Sequence, residues 1–144
     1  MSTFFIIDTN VVVAGLLTAH ADSPVARILD GMLLATFPFV VSEPLLAEYR
    51  AVLLRPKLCK RHGLSEDEID AILTDIARHA IVLAPASGPS MAPSAPDPGD
   101  QFLWNLLAAR TDLLLVTGDQ LLLQNEAMQP RVIAPLTMVT QLTH

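Results

Sequence analysis

Two carboxylates, Asp8 and Asp119, stand where a carboxylate can do chemistry, with Glu48, Asp97 and Asp100 as weaker candidates. Asp8 directly follows the apolar run Phe4-Phe5-Ile6-Ile7, and Asp119 follows Leu113-Leu114-Leu115-Val116 after the turn Thr117-Gly118. Both runs are too apolar for edge strands, so each acid is carried to the carboxyl end of a strand, where open α/β sheets place their ligand sites. In a parallel sheet those ends share one rim, which brings Asp8 and Asp119 to the same side. Either acid alone could be a turn residue or a helix cap. Two at close range repel unless a cation or a shared proton compensates. Thr9, Asn10 and Thr117 flank them and could orient the carboxylates by hydrogen bonding, or serve as caps. Glu48 lies mid-helix on the margin of an apolar face, a position from which a lone Glu usually faces solvent. In Asp97-Pro98-Gly99-Asp100, Asp97 suits a helix cap, with Asp100 favoured in the first turn by the helix dipole.

The elements that must position these acids follow from periodicity and punctuation. Strands are expected at 3–7, 39–41, 81–83, 113–116 and 131–134. A short helix over 11–17 is capped by Thr9 or Asn10, and Ser23-Pro24 opens a second with Val25, Ile28, Leu29 and Met32 inward. Ser42 caps a third, with Leu45, Leu46, Tyr49, Val52 and Leu53 as its apolar face, and Arg55-Pro56 stops it. Ser65-Glu66-Asp67-Glu68 is a capping box ahead of Ile69, Ile72, Leu73 and Ile76. A Pro/Ser/Ala-rich loop precedes a helix from about Asp97 to Arg110, with Trp104 as packing or a partner contact. One helical turn at 121–125 and a helix over 135–142 complete the chain. Helices alternating with short apolar runs predict a parallel sheet covered on both faces. No Gly-rich phosphate loop is present, which argues against a dinucleotide or P-loop enzyme.

At 144 residues the expectation is one domain spanning 1–144. The composition is 51% hydrophobic with a mean hydropathy of +0.45, yet no charge-free run reaches the roughly 18–20 residues of a membrane span. With no basic leader at the N-terminus, a cytoplasmic protein is the simple expectation, with no membrane association. The apolar excess points to a protein partner or a homodimer or higher oligomer. Cys59 stands alone, and His20, His62, His79 and His144 lack ligand spacing. Any bound metal must therefore take oxygen ligands, favouring Mg²⁺ or Mn²⁺ over zinc. A net charge of −6 opposes wholesale nucleic-acid binding. Five of the nine basic residues nevertheless cluster within twelve positions, as Arg50, Arg55, Lys57, Lys60 and Arg61. Such a strip could grip a phosphate backbone or simply solvate a helix face.

Four fragments in order resemble the PIN-domain family, and within it the bacterial and archaeal subgroup described as toxins of toxin–antitoxin systems. They are Ile-Ile-Asp-Thr-Asn-Val (6–11), the run from Ser42 to Lys57, Asp-Pro-Gly-Asp-Gln-Phe-Leu (97–103) and Leu-Leu-Val-Thr-Gly-Asp (114–119). The resemblance implies a three-layer α/β/α sandwich around a parallel sheet of four or five strands. It also implies an acid cluster holding one or two Mg²⁺ or Mn²⁺ ions for cleavage of single-stranded RNA, with a cognate antitoxin as partner. By position, Asp8, Glu48, Asp100 and Asp119 are the acids that bind metal and catalyse, with Thr9, Asn10, Thr117 and Asp97 in support. The chain departs from the family's habit in its loop over 85–96 and in Trp104-Asn105, which bear on substrate access and partner binding.

Two other classes compete. A receiver-like phosphotransfer domain needs a lysine at a later strand end, and none follows Lys60. A haloacid-type phosphatase needs aspartate where Asn10 stands. The remaining alternative is a non-enzymatic binding module on the same fold, in which Asp8 would be exposed and remote from Asp119.

Overall fold

The computed structural model describes residues 3–84 and 94–142. Most of the expected proline-rich loop, residues 85–93, and His144 lie outside them. Five strands form one all-parallel sheet: β1 (Phe4–Ile7), β2 (Phe39–Val41), β3 (Ile81–Val82), β4 (Leu113–Val116) and β5 (Val132–Ile133), in the order β3-β2-β1-β4-β5. Helices flank the sheet in an α/β/α arrangement, as the alternating pattern predicts. The three central strands are almost wholly apolar because both their faces are covered. The order reverses direction between β1 and β4, so the crevice at their carboxyl ends is the topological switch point where such sheets place ligands.

The helices are α1 (Thr9–Leu17), α2 (Pro24–Leu34), α3 (Glu43–Leu53), α4 (Pro56–His62), α5 (Glu66–His79), α6 (Gln101–Ala108), α7 (Gln120–Leu123) and α8 (Pro135–Leu142), with a 3₁₀ turn at Pro98–Asp100. Three features differ from expectation. Asp8, not Thr9 or Asn10, is the N-cap of α1, because its carboxylate accepts from the Thr9 amide and the helix starts directly at the strand end. Arg55-Pro56 stops α3 as expected, but Pro56 then occupies the first position of a new helix, α4, where its missing N–H costs nothing. β3 is an exposed edge strand of two residues, one shorter than the expected 81–83.

One core cluster joins the sheet to its helices, with Trp104, Tyr49, Phe39 and Met32 among its fully buried members. Trp104 is thus a core residue and not a surface contact. Gly15 lets α1 press against α2, since a Cβ there would stand 2.6 Å from the Val25 carbonyl oxygen. Ser65 and Glu68 close the expected capping box at the start of α5. Among the described residues no helix is long and apolar enough to cross a membrane.

Tyr49 ties α3 to the centre of the sheet. Its hydroxyl donates to the carbonyl of Ile7, the residue before Asp8, from a fully buried position one residue beyond Glu48. Burial, with the charges of Asp8 and Glu48 adding, pushes the phenol well above its ordinary pKa, so it remains a donor. Tyr49→Phe leaves that carbonyl without its partner and is expected to cost about 1–2 kcal/mol. The check is a lowered denaturation midpoint at unchanged m-value.

Candidate active site

The rim of the sheet is built around the Asp8 carboxylate. Its Oδ1 accepts from the Thr9 amide at 2.7 Å, and its Oδ2 accepts from the Thr117 hydroxyl at 2.8 Å and from Asn10 Nδ2 at 3.2 Å. The ladder between β1 and β4 continues one rung further, with the Asp8 amide donating to the Val116 carbonyl at 2.9 Å. Asn10 spans the switch point. Its Nδ2 donates to Thr117 Oγ1 at 3.1 Å and its Oδ1 accepts from the Gly118 amide at 2.9 Å. Thr117 Oγ1 also accepts from the Asp119 amide at 3.1 Å. Asn10 and Thr117 therefore hold the two strand ends, and the acids they carry, in fixed relation.

Glu48 reaches the same rim from α3. Its Oε2 accepts from the Thr9 hydroxyl at 2.8 Å, so Thr9 bonds Asp8 through its amide and Glu48 through its side chain. Asp119 caps α7, with Oδ1 accepting from the Leu121 amide at 2.9 Å. Here the cap reading and the site reading hold together.

Asp100 owes its place to the turn made by Pro98 and Gly99. They form the 3₁₀ turn, which Asp97 caps by accepting from the Gly99 amide at 2.8 Å. Asp100 closes that turn and falls at the N-cap of α6, outside α-helical geometry, rather than inside an α-helix begun at Asp97. Its side chain makes no capping bond. The carboxylate is left to face the cavity.

Asp8, Glu48, Asp100 and Asp119 all line that cavity, which holds about 600 Å³. Asp97 is exposed and does not line it, although its charge reaches Asp100. The electrostatics record the crowding. Burial first, then the charges of Asp8, Asp97, Glu48 and Asp119, lifts the Asp100 carboxyl to about 6. Asp8 is raised by burial, against the hydrogen bonds from Thr117 and Thr9, with Glu48 and Asp119 adding to the rise. Asp8 is only 5% exposed and within electrostatic reach of Asp119, the opposite of what a bare binding module would show.

Carboxylates that raise one another's pKa lack positive compensation, and oxygen donors facing one cavity suit a hard divalent cation. No histidine or cysteine lines the cavity to favour a softer metal. Among the described residues no three His, Cys, Asp or Glu side chains are gathered at ion-holding spacing. The cavity acids fit a hard divalent cation by donor chemistry.

The basic strip divides. Arg50 bonds Asp70 through Nε at 2.8 Å and also pairs with Glu66, bridging α3 to α5. Arg55 and Arg61 line the cavity, whereas Lys57 and Lys60 do not. Arg50→Ala is accordingly expected to loosen the contact between α3 and α5 slightly. A small fall in the thermal melting temperature checks this. Sequence reasoning missed the cavity's apolar wall, formed by Val13, Ala14 and Leu17 of α1 with Val52 of α3. The signal was weak because α1 is apolar on nearly every side, so no face stood out.

A family model described as the PIN domain matches residues 5–121 of this chain. That span carries all four cavity acids. No curated protein matches the chain.

Proposed function

Since this chain belongs to the PIN-domain family, we propose that it is a metal-dependent endoribonuclease cleaving single-stranded RNA, and the toxin of a toxin–antitoxin pair. PIN domains generally carry metal-dependent nuclease activity. The observation that carries the reading is the set of four carboxylates around one cavity at the switch point, crowded enough to lift Asp100 to about 6.

Asp8, Glu48, Asp100 and Asp119 would hold one or two Mg²⁺ or Mn²⁺ ions. When bound, such an ion makes a water a better nucleophile at neutral pH and offsets charge building on the phosphate. The chain's own residues supply position. Thr117 and Asn10 fix Asp8, Thr9 ties Asp8 to Glu48, and the Tyr49 bond sets the height of α3 against β1. Asp100, free of any capping duty, is the acid best able to accept or release a proton near neutrality. Asp97 serves by shaping the turn that presents Asp100.

The toxin role rests on the resemblance of the four motif fragments, and a cytoplasmic location follows from that role. A cognate antitoxin or a second copy of the chain would cover exposed apolar side chains such as Leu34, Leu121 and Leu136. The test of the activity is incubation of the purified chain with single-stranded RNA in Mg²⁺ or Mn²⁺ and in chelator. Cleavage that depends on the metal supports the reading; RNA left intact in every condition overturns it.

A further inference from the structure

The cavity extends well past the acids, and its far end differs in chemistry from its near end. On α3 and the residues just after it, Glu48, Val52 and Arg55 follow one another along one side of the cavity. Val13 and Leu17, one helical turn apart on α1, also line it, and with Val52 they make an aliphatic shelf beyond the acids. Arg55 and Arg61 add two guanidinium groups. Neither forms an ion pair among the described residues, whereas Arg50, a few positions earlier, is spent on Glu66 and Asp70.

The corner carrying these cations is held in place. The Leu64 amide donates to His62 Nδ1 at 2.9 Å, which leaves the proton on Nε2 to donate to the Leu53 carbonyl, also at 2.9 Å. Cys59 Sγ approaches the same carbonyl at 3.6 Å. Two residues of α4 thus bond the last turn of α3, and Arg55 and Arg61 sit at either end of α4. These bonds fix the backbone from which both arginines project, so less of the chain has to be ordered when they meet a phosphate than on a mobile arm.

Glu48 lies within α3, whereas Arg55 lies past its end as the N-cap of α4, so the two side chains enter the cavity from different places along the chain. With the acids committed to the reacting phosphate, the arginines are left for its neighbour on the same strand. We propose that the region from the Val13–Leu17–Val52 shelf to Arg55 and Arg61 is a subsite for one flanking nucleotide of a single-stranded nucleic acid: the shelf takes the base or sugar, and the arginines take the flanking phosphate. This deepens the nuclease reading and rests on it for the assignment of the substrate's reacting end. Among the described residues the shelf has no aromatic platform and no amide side chain to read a base edge, so the subsite grips backbone and discriminates little between bases.

The test separates grip from cleavage. The full chain carrying Asp8→Asn is titrated with a short labelled oligouridylate in chelator, by fluorescence anisotropy over a range of salt. The same titration is run with Arg55→Ala and Arg61→Ala added, and with Lys57→Ala and Lys60→Ala added instead. Loss of the one phosphate contact shared by the two arginines lowers the slope of log affinity against log salt by about 0.7, the value per phosphate charge neutralised on a single strand. The lysine variant changes the slope less, and oligoadenylate binds within about threefold of oligouridylate. In the active chain, the arginine pair raises KM for RNA cleavage more than it lowers kcat. An unchanged slope, or an equal fall in the lysine variant, overturns the subsite. A parent chain that cleaves no RNA while the slope still falls overturns the nuclease reading and upholds the subsite, so the two failures are distinct.

Discussion

Asp8→Asn is expected to lower metal-dependent RNA cleavage by roughly 10³-fold, equivalent to about 4 kcal/mol of lost transition-state stabilisation. The substitution keeps the shape of the side chain and removes its charge. Charge is the property that a hard cation requires from the one buried acid of the cavity. Geometry adds to the loss. Asparagine must place its NH₂ group at one of two positions, and both already face donors. At Oδ1 it meets the Thr9 amide; at Oδ2 it meets Asn10 Nδ2 and the Thr117 hydroxyl, whose oxygen already accepts from the Asp119 amide. The fold survives, because the repulsion Asp8 shares with Glu48, Asp100 and Asp119 disappears as these bonds weaken. Single-turnover cleavage together with a thermal melt checks both claims. A variant cleaving within tenfold of its parent, with the melt unchanged, would remove Asp8 from the centre of the site.

Much of that centre is legible in the residues. Phe4–Ile7 and Leu113–Val116 are continuous apolar runs that only a doubly covered sheet can bury, so their following acids had to share a rim. The same logic places Thr117 and Asn10 beside them. What the sequence hides depends on single backbone angles and on distant partners. Asp100 looks like an ordinary first-turn residue until φ −98° and ψ 2° put it at the helix cap with its carboxylate free. Arg50 looks as available to RNA as Arg55, and only the packing of α3 on α5 brings Glu66 and Asp70 against it. α4 is concealed by Arg55-Pro56, a pair that reads as a stop and serves here as a restart. Tyr49 reads as core, which it is, but its hydroxyl's partner lies forty-two residues away in sequence. Contacts of that kind leave no local pattern.

The metal-free protein is expected to lose stability as pH rises from about 4 to about 7, and a divalent cation to restore it. Asp100 titrates near 6 in the folded chain against an ordinary 3.8, and Asp8 is raised in the same direction. Between those values the folded state binds more protons than the unfolded, so unfolding free energy falls with rising pH. The contribution is complete below about pH 4 and is lost as pH climbs through about 6. Glu68 and Asp70 are shifted the other way, so their contributions fail only in acid below that window. Because Asp100 is partly solvated, its share discounts to about 1 kcal/mol, or roughly 3 °C in Tm for a chain of this size. Mg²⁺ or Mn²⁺ at about a hundred times its Kd would add about 2.7 kcal/mol, and more at pH 8 than at pH 5, where the acids are partly protonated. The two halves meet in one variant. Asp100→Asn removes a like charge from the cavity, so it should raise the metal-free Tm at pH 8, flatten its fall with pH, and weaken both cation stabilisation and cleavage. Thermal melts at pH 5 and pH 8, with cation and with chelator, read all of this directly. If Asp100→Asn lowers the metal-free Tm at pH 8, the acids are not crowded in the way their raised pKa values imply, and the case for a cation among them weakens with it.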